Sequence, residues 1–231
     1  MPAAVSPPLV SCVMPTCNRR RFVPQAIRYF CRQDYPAREL VVLDDGSDPV
    51  ADLIPADDHR VRYVRLTGRH TIGAKRTIGC REARGDLVVH WDDDDWMADQ
   101  RLSRQVAAHL ELAVDVSGLR TVLYLDISAG GECWQYVHPD AGRPWVFEPT
   151  FCFGRDVALA NPFPDRDIGS GTHWLASHPG IRVGPLTDPS FYVGIIHPGN
   201  AAPKDTSSAC WRRRSRQDIA ALLGDDWSFY V

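Results

Sequence analysis

The first half of the chain alternates short apolar runs with longer segments in which apolar residues recur at helical spacing. Runs at residues 9–14, 40–43, 61–66 and 87–91 predict strands, and the periodic segments 24–32, 72–83 and 100–112 predict helices. Strands separated by helices imply βαβ units and a mostly parallel sheet covered on both faces. Ligands of such sheets collect beyond the carboxyl ends of the strands, so the residues that follow each run are the first candidates for chemistry. Past residue 121 the pattern changes to short strand candidates at 122–125, 134–137 and 191–196, with Pro and Gly between them. This predicts a smaller mixed-sheet region whose long loops would shape a substrate pocket. A loop over 199–209, read as mobile, and a short helix over 217–223 complete an α/β chain without repeats or low-complexity tracts.

Composition narrows the possible partners. With 26 Lys and Arg against 29 Asp and Glu, the 231 residues carry a formal charge of only −3. No whole-molecule field attracts nucleic acid or an anionic membrane. The one dense basic run, Arg212, Arg213, Arg214 and Arg216 after Trp211, lacks an apolar anchor beside it and is read as a solvated helix start. No window approaches 18 uninterrupted apolar residues, so neither nucleic acid nor stable membrane insertion is expected. The first eight residues have neither the basic start nor the apolar stretch of a signal peptide. The seven cysteines include no CxxC pair and several sit in apolar runs, which fits buried free thiols and a cytoplasmic protein.

Three strand ends carry polar groups: Pro15-Thr16-Cys17-Asn18, Asp44-Asp45-Gly46-Ser47-Asp48 and Asp92-Asp93-Asp94-Asp95. Alone, the first could be a strand exit and the second a turn. The third is harder to explain structurally, because four adjacent carboxylates between Trp91 and Trp96 repel one another and a helix cap accounts for only one of them. A divalent cation removes that cost, and hard oxygen ligands of this kind suit Mn²⁺ or Mg²⁺ shared with a substrate phosphate.

Taken in order, the segments 10–19, 39–47, 73–77 and 85–96 resemble glycosyltransferase family 2 with the GT-A (Rossmann-like) fold, across about residues 9–104. The resemblance implies a single GT-A domain over 1–231, with a nucleotide-sugar-binding half at 1–115 and an acceptor-binding half plus C-terminal helix at 116–231. It implies transfer of a sugar, with inversion, from a nucleotide diphosphate sugar to the hydroxyl of an unknown acceptor. Pro15, Thr16 and Asn18 would border the nucleotide. Asp45 would accept a hydrogen bond from the base, which favours UDP or dTDP. Asp92 and Asp94 match the outer positions of the family's Asp-x-Asp motif, with Asp93 facing the ribose and Asp94 the main metal ligand. Arg76 would pair with the diphosphate or brace these carboxylates. His197, which ends the run 191–196, is the candidate second metal ligand, against the reading of a structural histidine. His173 and His178 lie five residues apart, which misses helical metal-site spacing, and take no metal role.

The expected Gly-Glu-Asp segment that supplies the family's base is replaced by Gly169-Ser170-Gly171. A serine cannot serve as base without a partner. Asp167 is the expected substitute, with Asp165 and His173 nearby and a helix-start carboxylate as its alternative reading. That replacement leaves open a degenerate GT-A domain that binds a nucleotide or a partner without transfer, or the same fold used for another reaction on a nucleotide-linked substrate. Removing residues 92–95 would take the formal charge from −3 to +1, so the acidic excess resides in one loop.

Overall fold

The computed structural model describes residues 6–128, 130–139 and 142–231, so most of the N-terminal segment assessed for a leader lies outside them. In chain order the elements are β1 (Val10–Thr16), α1 (Val23–Cys31), β2 (Arg38–Asp44), β3 (Val61–Arg65), α2 (Ile72–Glu82), β4 (Leu87–His90), β5 (Trp96–Met97), α3 (Arg101–Leu112), β6 (Val116–Leu119), β7 (Thr121–Asp126), β8 (Glu132–Val137), β9 (Cys152–Gly154), α4 (Arg155–Ala160), α5 (Ser170–Ser177), β10 (Val183–Leu186), β11 (Tyr192–Ile196), β12 (Trp211–Arg213), α6 (Arg216–Leu223) and α7 (Trp227–Tyr230).

Seven strands form one sheet in the order β10-β6-β9-β4-β1-β2-β3. The pairs β4-β1, β1-β2, β2-β3 and β6-β10 are parallel, and β9 runs antiparallel to β4 and β6. A second, mixed sheet has the order β12-β8-β7-β11-β5, as the change of pattern past residue 121 predicts. Alternation along the central strands explains why both faces of the larger sheet are covered. Cys12 and Met14 of β1, Leu40 and Val42 of β2 and Val89 of β4 enter one core with Ala26, Ile27 and Phe30 of α1 and Leu102 and Val106 of α3. Val13, Val41, Leu43 and Val88 point the other way and meet Cys80 of α2, Ala158 of α4 and Trp174 of α5. Gly79 lets α2 lie directly on β1, because a Cβ there would collide with the Val13 side chain.

The basic run departs from its expected form. Trp211–Arg213 is an edge strand antiparallel to β8, and the helix begins only at Arg216. Cross-strand chemistry overrides helix propensity: Arg213 pairs with Glu132 at 2.8 Å and stacks over Trp134 at 4.8 Å. The seven cysteines are free thiols, with Cys12, Cys80, Cys133 and Cys152 buried. Among the described residues no helix is long and apolar enough to cross a membrane.

Asp226 ties the C-terminal end of the chain to α1 and β5. Its buried carboxylate accepts from Gln25 Nε2 (3.1 Å), Arg28 (3.2 Å), Arg32 (2.5 Å) and the Trp96 indole (3.0 Å). Asp226→Ala leaves the buried indole and amide without an acceptor and is expected to cost about 1–3 kcal/mol in urea unfolding.

Candidate active site

The polar strand ends meet in one cavity of about 780 Å³, a size within the usual range of ligand pockets. Pro15, Thr16, Asn18, Asp45, Arg76, Asp92, Asp93, Asp94 and Asp167 all line it. They converge because β1, β2 and β4 are neighbouring parallel strands, so their carboxyl ends open on the same edge.

At the β2 end, two consecutive aspartates take different tasks. Asp44 faces inward, accepts from the amides of Gly46 (2.8 Å) and Val50 (2.9 Å) and from the Tyr63 hydroxyl (2.9 Å), and so shapes the turn. Asp45 lies beside the cavity, with Lys75 Nζ at 2.8 Å from Oδ1 and the His70 amide at 2.7 Å from Oδ2. Burial opposes its ionisation, but the Lys75 ammonium and the His70 N–H outweigh burial and hold the carboxyl below its ordinary range. Lys75 also donates to the Thr16 carbonyl at 3.0 Å and thereby locks the β1 and β2 ends together.

Oxygens of Asp92, Asp94 and Asp95 lie within 4.8 Å of one another. Asp95 is held by the Ile195 amide (2.7 Å) and the Tyr192 hydroxyl, both from β11. Asp92 accepts from Arg76 at 3.2 Å. Asp94 Oδ2 lies 3.0 Å from His197 Nε2 and 3.6 Å from an Arg19 nitrogen. His197 is absent from the cavity lining and stands against Asp94, with the Gly199 amide donating to its Nδ1 at 3.1 Å. A guanidinium nitrogen of Arg19 also lies 2.9 Å from Nε2, so a carboxylate, an imidazole and a positive charge meet at one point. The hard carboxylate oxygens of Asp92, Asp94 and Asp95 are of the kind that fits a divalent ion such as Mn²⁺ or Mg²⁺.

Several residues of the site escaped the sequence reading. Lys75, Arg19, Asp95 and Tyr192 gave no signal beyond membership of a motif or an apolar run. Glu148 gave none at all: it opens a short 3-10 helix at Glu148–Thr150, lines the cavity and accepts through Oε1 from both Arg76 and Ser170. Asp167 accepts from the Ile72 amide at 3.1 Å and Asp165 from Thr71 Oγ1 at 2.6 Å, so both sit at the start of α2. His173 is exposed and is not among the lining residues. An adjoining cleft of about 250 Å³ is walled by Tyr124, Tyr136, Trp145, Phe147 and Trp211.

The model of glycosyl transferase family 2 matches residues 11–145, more than half of the sequence. The chain belongs to glycosyl transferase family 2. Among curated members it is 32% identical over 103 residues to an uncharacterized glycosyltransferase of Haemophilus influenzae, covering 43% of this chain and 41% of that one. It is 30% identical over 101 residues to a GalNAc(5)-diNAcBac-PP-undecaprenol beta-1,3-glucosyltransferase of Campylobacter jejuni, covering 42% of this chain and 33% of that one. The chain thus spans less than half the length of these relatives. Among solved structures, S. aureus TarS 1-349 in complex with UDP superposes with a TM-score of 0.63 at 18% identity, over 82% of this chain and 61% of that one. The mannosyltransferase PcManGT of Pyrobaculum calidifontis, in complex with GDP-Man and Mn²⁺, gives 0.62 at 20% identity, over 84% and 59%. Both share the fold.

Burial, reinforced by the charge of Asp94, pushes Asp93 up to about 8. Burial and the Asp94 charge also raise Asp95, and burial raises Asp92 against the pull of Arg76. A carboxyl whose folded pKa exceeds its ordinary value of 3.8 binds more protons folded than unfolded between those limits, so stability is lost as pH rises through them. In EDTA the thermal midpoint is therefore expected to fall between about pH 5 and about pH 8, and Asp93→Asn to flatten that slope.

Proposed function

We propose that the chain is a metal-dependent glycosyltransferase that moves a sugar from a nucleotide diphosphate sugar, with UDP or dTDP favoured, to an acceptor hydroxyl with inversion. The observation that carries this reading is the convergence in one cavity of Asp45 with Lys75, Arg19 with Asp94, and the carboxylates of Asp92 and Asp95.

Each part has a task in that reaction. Asp45 is ionised and keeps acceptor capacity after its bonds from Lys75, the His70 amide and Arg69, which suits the N–H of uracil or thymine. Pro15, Thr16 and Asn18, which line the cavity, would border the nucleotide, and Asp93 would face the ribose. Asp94, with Asp92 and Asp95 beside it, would hold the cation. His197, whose Nε2 lies 3.0 Å from Asp94 Oδ2, would join it as the second ligand. When bound, Mn²⁺ or Mg²⁺ offsets the negative charge that develops on the departing diphosphate. Arg19 supplies fixed positive charge at the same point. The acceptor would approach across the aromatic wall of the adjoining cleft, where Trp145 and Phe147 are shared with the main cavity. Inversion follows from direct attack of its hydroxyl on the anomeric carbon, without a covalent sugar-enzyme intermediate. A binding-only role for the domain requires the same nucleotide affinity without turnover.

In titration calorimetry with Mn²⁺, UDP or dTDP is expected to bind and GDP to bind more weakly. Asp94→Ala should weaken Mn²⁺-dependent binding by about 10–100-fold, with the affinity of Mn²⁺-free nucleotide much less changed. Binding of none of the three nucleotides would remove the basis of this reading. Binding without turnover of any UDP, dTDP or GDP sugar, even to water, would favour the binding-only role.

A further inference from the structure

Glu148 has no task in the scheme above, yet it is firmly built into the cavity wall. The turn that carries it is fixed from three sides: His90 Nδ1 donates to the Glu148 carbonyl at 2.8 Å, Arg101 donates to the Pro149 carbonyl at 3.0 Å, and the Leu119 amide donates to the Thr150 side-chain Oγ1 at 2.8 Å. Its carboxylate is oriented by Arg76 and Ser170, both on Oε1, so Oε2 carries neither of these bonds. Arg76 is itself buried and donates through its other terminal nitrogen to Asp92 at 3.2 Å, which places Glu148 one guanidinium away from the diphosphate end of the site. The decisive relation is with Gly171. A Cβ at that position would stand 2.5 Å from Glu148 Cγ and 2.6 Å from Cδ, so the Glu148 acid group fills the space in which a side chain at 171 would begin.

Resting on the transfer reaction proposed above, we propose that Glu148 is its catalytic base, a carboxylate delivered from the 3-10 turn into the place left by Ser170 and Gly171. The acceptor O–H gives its proton to Glu148 while the acceptor oxygen bonds to the anomeric carbon. The bond from that carbon to the diphosphate oxygen breaks, and its electron pair leaves with the diphosphate. Glu148 then releases the proton to water. Arg76 keeps Asp92 as a partner while Glu148 is neutral, so no buried guanidinium is left uncompensated. Asp167 is the competing carboxylate, but its contact with the Ile72 amide gives it the work of a helix-start residue.

The test uses the full chain with Mn²⁺, following nucleotide release from UDP-glucose, UDP-N-acetylglucosamine and GDP-mannose with water as acceptor, beside calorimetric UDP binding. Glu148→Gln is expected to lower the hydrolytic kcat by about 100-fold or more, to abolish the acidic limb of the pH–rate profile and to leave UDP affinity within about threefold. Asp167→Asn should stay within about threefold of wild type. Because Gln also alters the Arg76 pair, a second variant moves the carboxylate instead. Glu148→Gly combined with Gly171→Asp should regain about tenfold or more over Glu148→Gly alone. Glycine at 148 removes the Cβ, Cγ and Cδ atoms that crowd a side chain at 171. Unchanged turnover in Glu148→Gln, or equal loss of turnover and UDP affinity in both single variants at 148 with no regain in the double variant, would overturn the assignment. A wild-type chain that binds no nucleotide would instead overturn the transfer reading on which the assignment rests.

Discussion

Four carboxylates in succession at the end of a buried strand are the constraint around which this molecule is arranged. Uncompensated, they would repel one another in a site where burial already disfavours their charge. The chain answers by holding each one differently. Asp95 is held by β11, through the Ile195 amide and the Tyr192 hydroxyl. Asp92 takes the buried Arg76, and Asp94 takes His197, Arg19 and Asn200. Asp93 instead answers by keeping its proton, with a pKa pushed up to about 8. The contacts to the other three come from β11, α2 and the loops after β1 and β11, so balancing one acidic loop fixes the relative position of the two sheets.

The central α/β layer was legible because its signals are local and repeated. Apolar runs and helical spacing locate β1 to β4 and α1 to α3 to within a few residues, since both faces of the parallel sheet must be buried. The second half was less so. β6, β9, β10 and β12 are three or four residues long, too short for periodicity to separate them from loops. β12 reads as a basic run, and only the partners Glu132 and Trp134 on β8 make it a strand.

The site divides along the same line. Asp45, Asp92, Asp94 and the strand-end residues were visible because they lie in contiguous motifs at predictable ends of strands. Lys75 and Glu148 were not, because their importance comes from partners far along the chain: Lys75 reaches Thr16 and Asp45, and Glu148 reaches Arg76 and Ser170. A glutamate in a Pro-containing turn carries no motif. Its meaning is set by the absence of a side chain at Gly171, which no reading of either segment alone reveals.

On the assignment proposed above, a carboxylate changes its place in the sequence while keeping its place in space. What the reaction requires is an acceptor of protons at one point, oriented and sheltered from competing donors. Whether it is carried by the first turn of α5 or by the turn before β9 is immaterial, provided the backbone is rigid. Here the turn before β9 is strongly braced: His90 and Arg101, both fully buried, anchor it to the end of β4 and to α3. The acidic loop follows that same end of β4, so the carboxylates that would hold the cation and the carboxylate next to Gly171 are referenced to one strand. A shift of β4 would carry both together, which preserves their separation.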